Sequence, residues 1–158
     1  MLMKIYSLFL ILSFSNLFLT QSFRKFSNDR PFKDIYRYRS IARRNYKDKM
    51  KYTGYVQDHH CIPKQWKEHP LLKDLDYDIN SSKNLIIMPN NKGIEKLNLH
   101  PNTLVHDGGH VPFNKYIKHE LDYIHGKWEF DEKKYLFWLF LCHIKKNMKF
   151  NDDQLPWK

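Results

Sequence analysis

The sequence predicts a small α+β domain, in which two short strands and a histidine-rich turn precede a helix. Val56, Cys61 and Ile62 are apolar strand formers followed by Pro63, and residues 84–89 contain an apolar run bounded by Asn and Pro, as is typical of short strands. A helical pattern follows over residues 113–124, where apolar residues recur every three or four positions. At 158 residues, with 42% hydrophobic and 16% aromatic residues, the chain has room for one domain with a substantial core.

Composition and charge exclude several classes of protein. The formal net charge is +10, from 27 Lys and Arg against 17 Asp and Glu, which attracts the chain to polyanions such as nucleic acid or anionic membranes. Five glycines and two cysteines exclude a collagen-like chain, a disulfide framework and a four-cysteine zinc ribbon. Metal binding or catalysis must therefore depend on the nine histidines and the carboxylates.

Residues 1–22 have the form of a signal peptide. Lys4 is followed by a mostly apolar run from Ile5 to Leu19 that contains no charged residue, and then by small or polar residues. An uncleaved membrane anchor is the alternative, because about 15 apolar residues fall short of the roughly 20 that span a bilayer, yet tilt or thinning can compensate. Both alternatives predict a protein that is secreted or associated with a membrane through this segment.

Residues 23–54 are basic and rich in aromatics, and we predict a helix there. Ile35, Tyr38, Ala42 and Tyr46 recur every three or four residues, which gives one apolar stripe on a cationic helix. A solvated helix face is the simplest interpretation. The interleaved aromatics and the position directly before the histidines favour nucleic-acid binding, because Lys and Arg contact phosphates without reading sequence. The arginines expected to do so are Arg37, Arg39, Arg43 and Arg44.

Two pairs of histidines lie within residues 55–125. His59 and His60 are adjacent in or at the end of the first strand, so their side chains are expected on opposite faces and can serve different roles. His106 and His110 flank two glycines, and their spacing brings two imidazoles to one helical face or around one tight turn. The glycines favour the turn.

Three short segments carry a resemblance: residues 59–63 (HHCIP), 84–90 (NLIIMPN) and 106–114 (HDGGHVPFN). In this order, they resemble the HNH, or ββα-metal, nucleases, and specifically the AHH type found among toxin nucleases. The sequence departs from the AHH type at Asp58, where that type has Ala. The resemblance implies a ββα-metal (HNH-like) nuclease core with flanking N- and C-terminal helices. The predicted organisation is a signal peptide or anchor at 1–22, a basic helical segment at 23–54, the nuclease core at 55–125 and a C-terminal helical extension at 126–158.

The resemblance implies catalytic roles for two residues. His60, three residues before Pro63, corresponds to the general base that takes a proton from water, and we expect its side chain to face open solvent. A neutral imidazole with a pKa of about 6.5 suits that task around neutral pH. Asn84 corresponds to the central Asn that orients this base and braces the loop. Lys64 and Asn114 are further expected contacts to nucleic acid.

The resemblance also implies one divalent metal ion, Mg²⁺, Mn²⁺ or Zn²⁺. Its expected ligands are His59, His106 and His110. Imidazole favours Zn²⁺ or Mn²⁺, whereas Mg²⁺ would be held mainly by water and phosphate. A slip of one residue would make Asp58 a ligand and His59 the base, but the spacing to Pro63 favours the first assignment.

The predicted activity is metal-dependent hydrolysis of phosphodiester bonds, with DNA preferred to RNA as the substrate. The alternative is a non-catalytic cationic protein that keeps this fold to bind nucleic acid or an anionic membrane. Toxin nucleases of this type often require an immunity protein, so an inhibitor is a further expected partner, as is a membrane tether through the N-terminus.

Three smaller features leave open questions. Cys61 and Cys142 can form one disulfide or remain free thiols. Residues 135–142 form an apolar run that is too short to span a bilayer and predicts a helix that caps the core. Residues 80–82 (NSS) form a glycosylation sequon, which matters only in a glycosylating secretory pathway.

Overall fold

The computed structural model describes residues 34–100, 103–150 and 155–157. Their elements in chain order are helix α1 (Ile41–Lys49), strand β1 (Val56–His60), helix α2 (Pro70–Asp74), strand β2 (Leu85–Pro89) and helices α3 (Asn91–Lys96), α4 (Val111–His125) and α5 (Phe130–Phe150). Short 3₁₀ turns span Lys64–Trp66 and Ser82–Asn84. The predicted α+β class is confirmed, as is the order of strand, strand, histidine turn and helix.

The predicted signal peptide or anchor lies outside the described residues. So do the basic residues that precede Asp34. Among the residues that are described, no helix is long and apolar enough to cross a membrane.

The two strands pair antiparallel, and their register determines where the histidines point. Val56 is opposite Pro89, and His60 is opposite Leu85. Because side chains alternate between the two faces of a strand, His59 and His60 lie on different faces. Asn84 immediately precedes β2, so the same register places it beside the end of β1.

Most of the core lies between α4, α5 and the segments that follow β1. The buried residues of α4 recur every three or four positions, as the sequence predicts, and α5 packs against them with the apolar run of residues 135–142. Complete burial of one such side chain stabilises the fold by about 1.5–3 kcal/mol. The buried apolar residues of the two helices are Phe113, Ile117, Leu121, Ile124, Phe137, Phe140, Leu141, Ile144 and Met148.

Both cysteines are free thiols, so the disulfide alternative is not formed. Cys61 is buried immediately after β1, and Cys142 is exposed on α5. Burial raises the pKa of the Cys61 thiol to about 12. The Cys61 side chain therefore remains protonated at neutral pH and contributes to the core as a small apolar group.

In the described part of the basic segment, the helix is shorter than the sequence predicts. The prediction of an apolar stripe along it is wrong. Residues 34–40 form turns, and α1 begins only after Ser40, whose hydroxyl accepts a hydrogen bond from the Arg43 backbone N–H. Ile35 and Tyr46, two members of the stripe, are 48% and 42% exposed. The buried residue of α1 is instead the cation Arg43.

Arg43 is buried because it pairs with Asp58 on β1. Its Nε lies 2.8 Å from one carboxylate oxygen of Asp58, and the Nζ of Lys47 lies 3.1 Å from the other. A buried carboxylate needs such partners, since an unpaired charge in the interior is costly. The departure from the AHH pattern at Asp58 thus has a structural reason, because the Asp58 carboxylate attaches α1 to β1. The same pairing argues against the slipped register, in which Asp58 would be a metal ligand.

Removal of the Asp58 carboxylate should strongly destabilise the protein. In Asp58→Ala the buried Arg43 guanidinium loses its counter-charge, and we expect the free energy of unfolding in urea to fall by about 3–5 kcal/mol. Glu68→Ala is the matched control, because Glu68 pairs with Lys67 and Lys73 at the exposed surface. That control should leave the free energy of unfolding nearly unchanged, because exposed ion pairs contribute little. Equal effects of the two substitutions would contradict the structural role of Asp58.

Candidate metal centre and base

Three histidines from separate parts of the chain converge on one face of β1. The nearest ligand nitrogens of His59, His106 and His110 all lie within 4.8 Å of one another. His59 comes from β1, and the backbone N–H of His106 donates to the carbonyl of Pro89 at the end of β2, 2.9 Å away. His110 is the N-cap of α4. Gly108, with a φ of 141°, allows the chain to turn between the last two histidines, so the turn and not the helical face brings them together.

The chemistry of this cluster fits a metal ion. The Nε2 of His59 is buried and has no hydrogen-bond partner in the described part of the chain, which is costly unless something else uses its lone pair. Burial, with the nearby His106 and His110, lowers the pKa of His59 to about 3, so its imidazole is neutral at physiological pH. Neutral imidazole is the form that binds metals. His59 and His110 are buried and His106 is half-buried, so the cluster opens towards solvent beside His106.

An indole from the C-terminus covers the cluster, which the sequence analysis did not predict. The ring of Trp157 lies 3.9 Å from that of His110 and 5.1 Å from that of His59, between ring centroids. Its Nε1–H donates to the carbonyl of Val105, 3.2 Å away. This apolar cover limits the access of water to the histidines. No spacing or pattern in the sequence connects a tryptophan near the C-terminus to histidines some fifty or more residues earlier.

His60 lies on the opposite face of β1, in different surroundings. Its Nε2 is 3.3 Å from the Oδ1 of Asn80, and the ring of Tyr38 packs edge-on at 4.6 Å between centroids. The expectation that His60 faces open solvent is wrong: the residue is only 8% exposed, because the turns of residues 34–40 lie against it. Burial lowers the pKa of His60, and the neighbouring cation of Lys64 adds to this effect.

Asn84 braces the loop after β1. It is fully buried, and its Oδ1 accepts from the N–H of Ile62, 2.8 Å away. Its Nδ2 donates to the carbonyls of Ile62 and Ile79 at 3.0 and 2.8 Å. Its backbone carbonyl also accepts from the N–H of Cys61. These bonds fix the backbone directly after His60.

A cationic groove, lined in part by the two residues that contact His60, lies on this face. It encloses about 300 Å³. The Nζ of Lys64 stands 3.6 Å from the centroid of the Tyr38 ring, and the guanidinium of Arg39 lies 5.2 Å from it. A second cavity of about 500 Å³ shares Tyr38 and Arg39 and continues along α1 past Arg44. The residues that line the first groove are Arg37, Tyr38, Arg39, Lys64, Lys67, Ile79 and Asn80.

The residues expected to contact nucleic acid divide into two groups. Arg39, Arg44 and Lys64 are exposed along the two cavities, and exposed Arg37 is in the same groove but pairs with Asp78 at 3.0 Å. Arg43 and Asn114 make structural contacts. Arg43 is committed to Asp58. The backbone carbonyl of Asn114 accepts from the indole N–H of Trp66, and the contact of its side chain with nucleic acid stays a prediction.

The comparison with known families supports the resemblance found in the sequence. A family described as AHH, a nuclease family of the HNH/ENDO VII superfamily with conserved AHH, matches residues 42–135. The match covers more than half of the chain and runs from α1 into α5, so it contains all four histidines described above. No curated protein and no solved structure matches the chain significantly. The chain therefore belongs to the AHH family of nucleases within the HNH/ENDO VII superfamily.

Proposed function

We propose that the protein is a metal-dependent endonuclease that hydrolyses phosphodiester bonds, with DNA preferred to RNA. The observation that carries this proposal is the separation of two adjacent histidines. His59 joins a three-histidine cluster on one face of β1, and His60 lies beside a cationic groove on the other. Their Cα atoms are only about 3.8 Å apart, and the proposal requires one phosphodiester at the end of β1 to approach both side chains.

In this proposal His60 is the general base. Hydrolysis requires that an attacking water lose a proton, and an imidazole whose pKa is lowered by burial is unprotonated and able to accept it near neutral pH. The bracing of residues 61 and 62 by Asn84 fixes the backbone directly after the base. Such fixed geometry matters because a displaced base loses much of its catalytic effect.

The cluster of His59, His106 and His110 would hold one divalent ion, Mg²⁺, Mn²⁺ or Zn²⁺. When bound, such an ion supplies positive charge to a phosphate oxygen and to the departing oxygen of the substrate. The protein's own contribution is to keep three imidazoles close together, to limit water through Trp157 and to leave an opening beside His106. Three imidazoles favour Zn²⁺ or Mn²⁺ over Mg²⁺.

The cationic groove would hold the phosphates that flank the scissile bond. Arg39, Lys64 and Lys67 line it, and Arg44 extends the positive surface along α1. Contacts of this kind provide affinity without sequence preference. Within the same proposal, residues 1–22 direct the protein to secretion or tether it to a membrane, and an inhibitor protein that covers the site protects the producing cell.

Substitution of the base should abolish cutting and leave binding intact. With plasmid DNA and Mg²⁺, Mn²⁺ or Zn²⁺ supplied in turn, we expect the wild-type protein to nick the plasmid and EDTA to stop it. His60→Ala should lower the rate by about 10²- to 10⁴-fold. His119→Ala is the control, because His119 is an exposed histidine of α4. RNA of the same sequence tests the substrate preference. If the wild type binds DNA but cuts neither nucleic acid with any metal, the protein is a non-catalytic binding protein.

Metal binding should depend on the three-histidine cluster. With Zn²⁺ or Mn²⁺ at about 100 times the dissociation constant, binding stabilises the folded state by about 2.7 kcal/mol, which raises the melting temperature. His106→Ala should remove this shift, since it deletes the least buried of the three histidines. His119→Ala should retain it. If metal raises the melting temperatures of His106→Ala and His119→Ala equally, the ion binds elsewhere.

Removal of charge from the groove should weaken nucleic-acid binding without abolishing catalysis. Lys64→Ala and Lys67→Ala should each lower affinity, and each should reduce the slope of log K against log salt by about 1 if its ammonium contacts a phosphate. Lys127→Ala is the control, because Lys127 follows the C-terminal end of α4, whereas His110 lies at the N-terminal end. Unchanged salt slopes in both groove variants would exclude the groove as the binding surface. Fluorescence anisotropy with a labelled duplex measures each slope.

A further inference from the structure

We propose that Asn80 is a positioning residue that fixes the tautomer and the orientation of His60. This inference deepens the proposed function, because it rests on His60 as the base of the same site. Neither the family resemblance nor the sequence pattern assigns a role to Asn80, which belongs to the loop that precedes β2. The observation is its side-chain contact with the imidazole, 3.3 Å between the Oδ1 of Asn80 and the Nε2 of His60.

The chemistry of the amide oxygen determines which nitrogen of His60 carries the proton. An amide oxygen accepts hydrogen bonds and cannot donate them. The contact is therefore a hydrogen bond only if Nε2 of His60 carries the hydrogen. In a neutral imidazole the other nitrogen, Nδ1, then has the free lone pair. Asn80 thus selects Nδ1 as the atom that takes the proton from water.

Asn80 is itself held on two sides, so its backbone has a defined position beside His60. Its backbone N–H donates to the carboxylate of Asp78 at 2.9 Å, and its carbonyl accepts from the N–H of Tyr38 at 2.8 Å. The next residues of the loop are fixed in the same way, since both Ser81 and Ser82 donate hydrogen bonds to the carboxylate of Asp34. The loop and residues 34–38 therefore form one hydrogen-bonded unit.

The same unit limits the rotation of the imidazole. The ring of Tyr38 packs edge-on against His60, and the backbone of Tyr38 is bonded to Asn80. Tyr38 thus packs against one side of the His60 ring, and Asn80 contacts one of its nitrogens. Asn84, by contrast, directs its side-chain hydrogen bonds to the backbone of Ile62 and Ile79. Bracing of the loop and orientation of the base are consequently divided between two asparagines.

This division predicts a specific kinetic effect. Asn80→Ala removes the acceptor, so His60 can take the other tautomer, and kcat should fall by about 10- to 100-fold with little change in KM. Asn80→Asp retains an acceptor oxygen in the same place and should recover most of kcat. Asn91→Ala, at the exposed start of α3, is the control that should leave both constants unchanged. The protein should come from a host without N-glycosylation, since residues 80–82 form a sequon.

The direct test is the tautomer of His60, measured by two-bond ¹H–¹⁵N correlation NMR on the metal-free full chain with labelled histidine. His60→Ala assigns the signal. We expect the Nε2–H form in the wild type and in Asn80→Asp, and a mixture of tautomers in Asn80→Ala. An Nδ1–H form in the wild type overturns the inference whether or not the protein cuts DNA, as does an Asn80→Ala protein with unchanged tautomer and kcat. An Nε2–H form in a protein that cuts no nucleic acid supports the role of Asn80 and refutes the proposed function instead.

Discussion

The alternation of side chains along β1 is the constraint on which the site depends. Two adjacent histidines cannot point to the same face of a regular strand, so His59 and His60 are separated by backbone geometry alone. One enters a buried cluster with His106 and His110, and the other enters a polar pocket with Asn80. The pairing with β2 and the hydrogen bonds of Asn84 hold the strand and the residues after it in place. In the proposed function, metal binding and proton transfer would therefore involve groups on different faces of β1.

The basic N-terminal segment is part of the same construction. Asp58, on the His60 face of β1, binds Arg43 and Lys47 of α1, and the turns before α1 attach to the loop at residues 78–82. One wall of the pocket around His60 therefore comes from residues 34–40. The positive charge of this segment is therefore used in two places. Part of it neutralises Asp58 in the interior, and the rest lines the groove beside His60.

Local patterns in the sequence predict the elements of the fold well, and contacts between distant residues are where prediction ends. The strands, the turn at the two glycines and the buried face of α4 follow from periodicity and from Gly and Pro within a few residues. The apolar stripe from Ile35 to Tyr46 was wrong because Ser40 caps the helix and Asp58 draws a cation inwards. His60 proved to be buried for a similar reason, since Tyr38 approaches it from outside the strand. The contacts of Trp157 and Asn80 depend on how the whole chain closes, and no local spacing indicates them.

The most direct test of the site is the position of the ion itself. Anomalous diffraction at the zinc or manganese edge, on crystals of the loaded protein, locates the metal and identifies its ligands. We predict one ion bound by imidazole nitrogens of His59, His106 and His110, at about 2.0–2.1 Å if it is zinc, with His60 unbound on the other face of β1. An ion coordinated by His60, or one bound away from the three histidines, would contradict the proposed separation of metal and base.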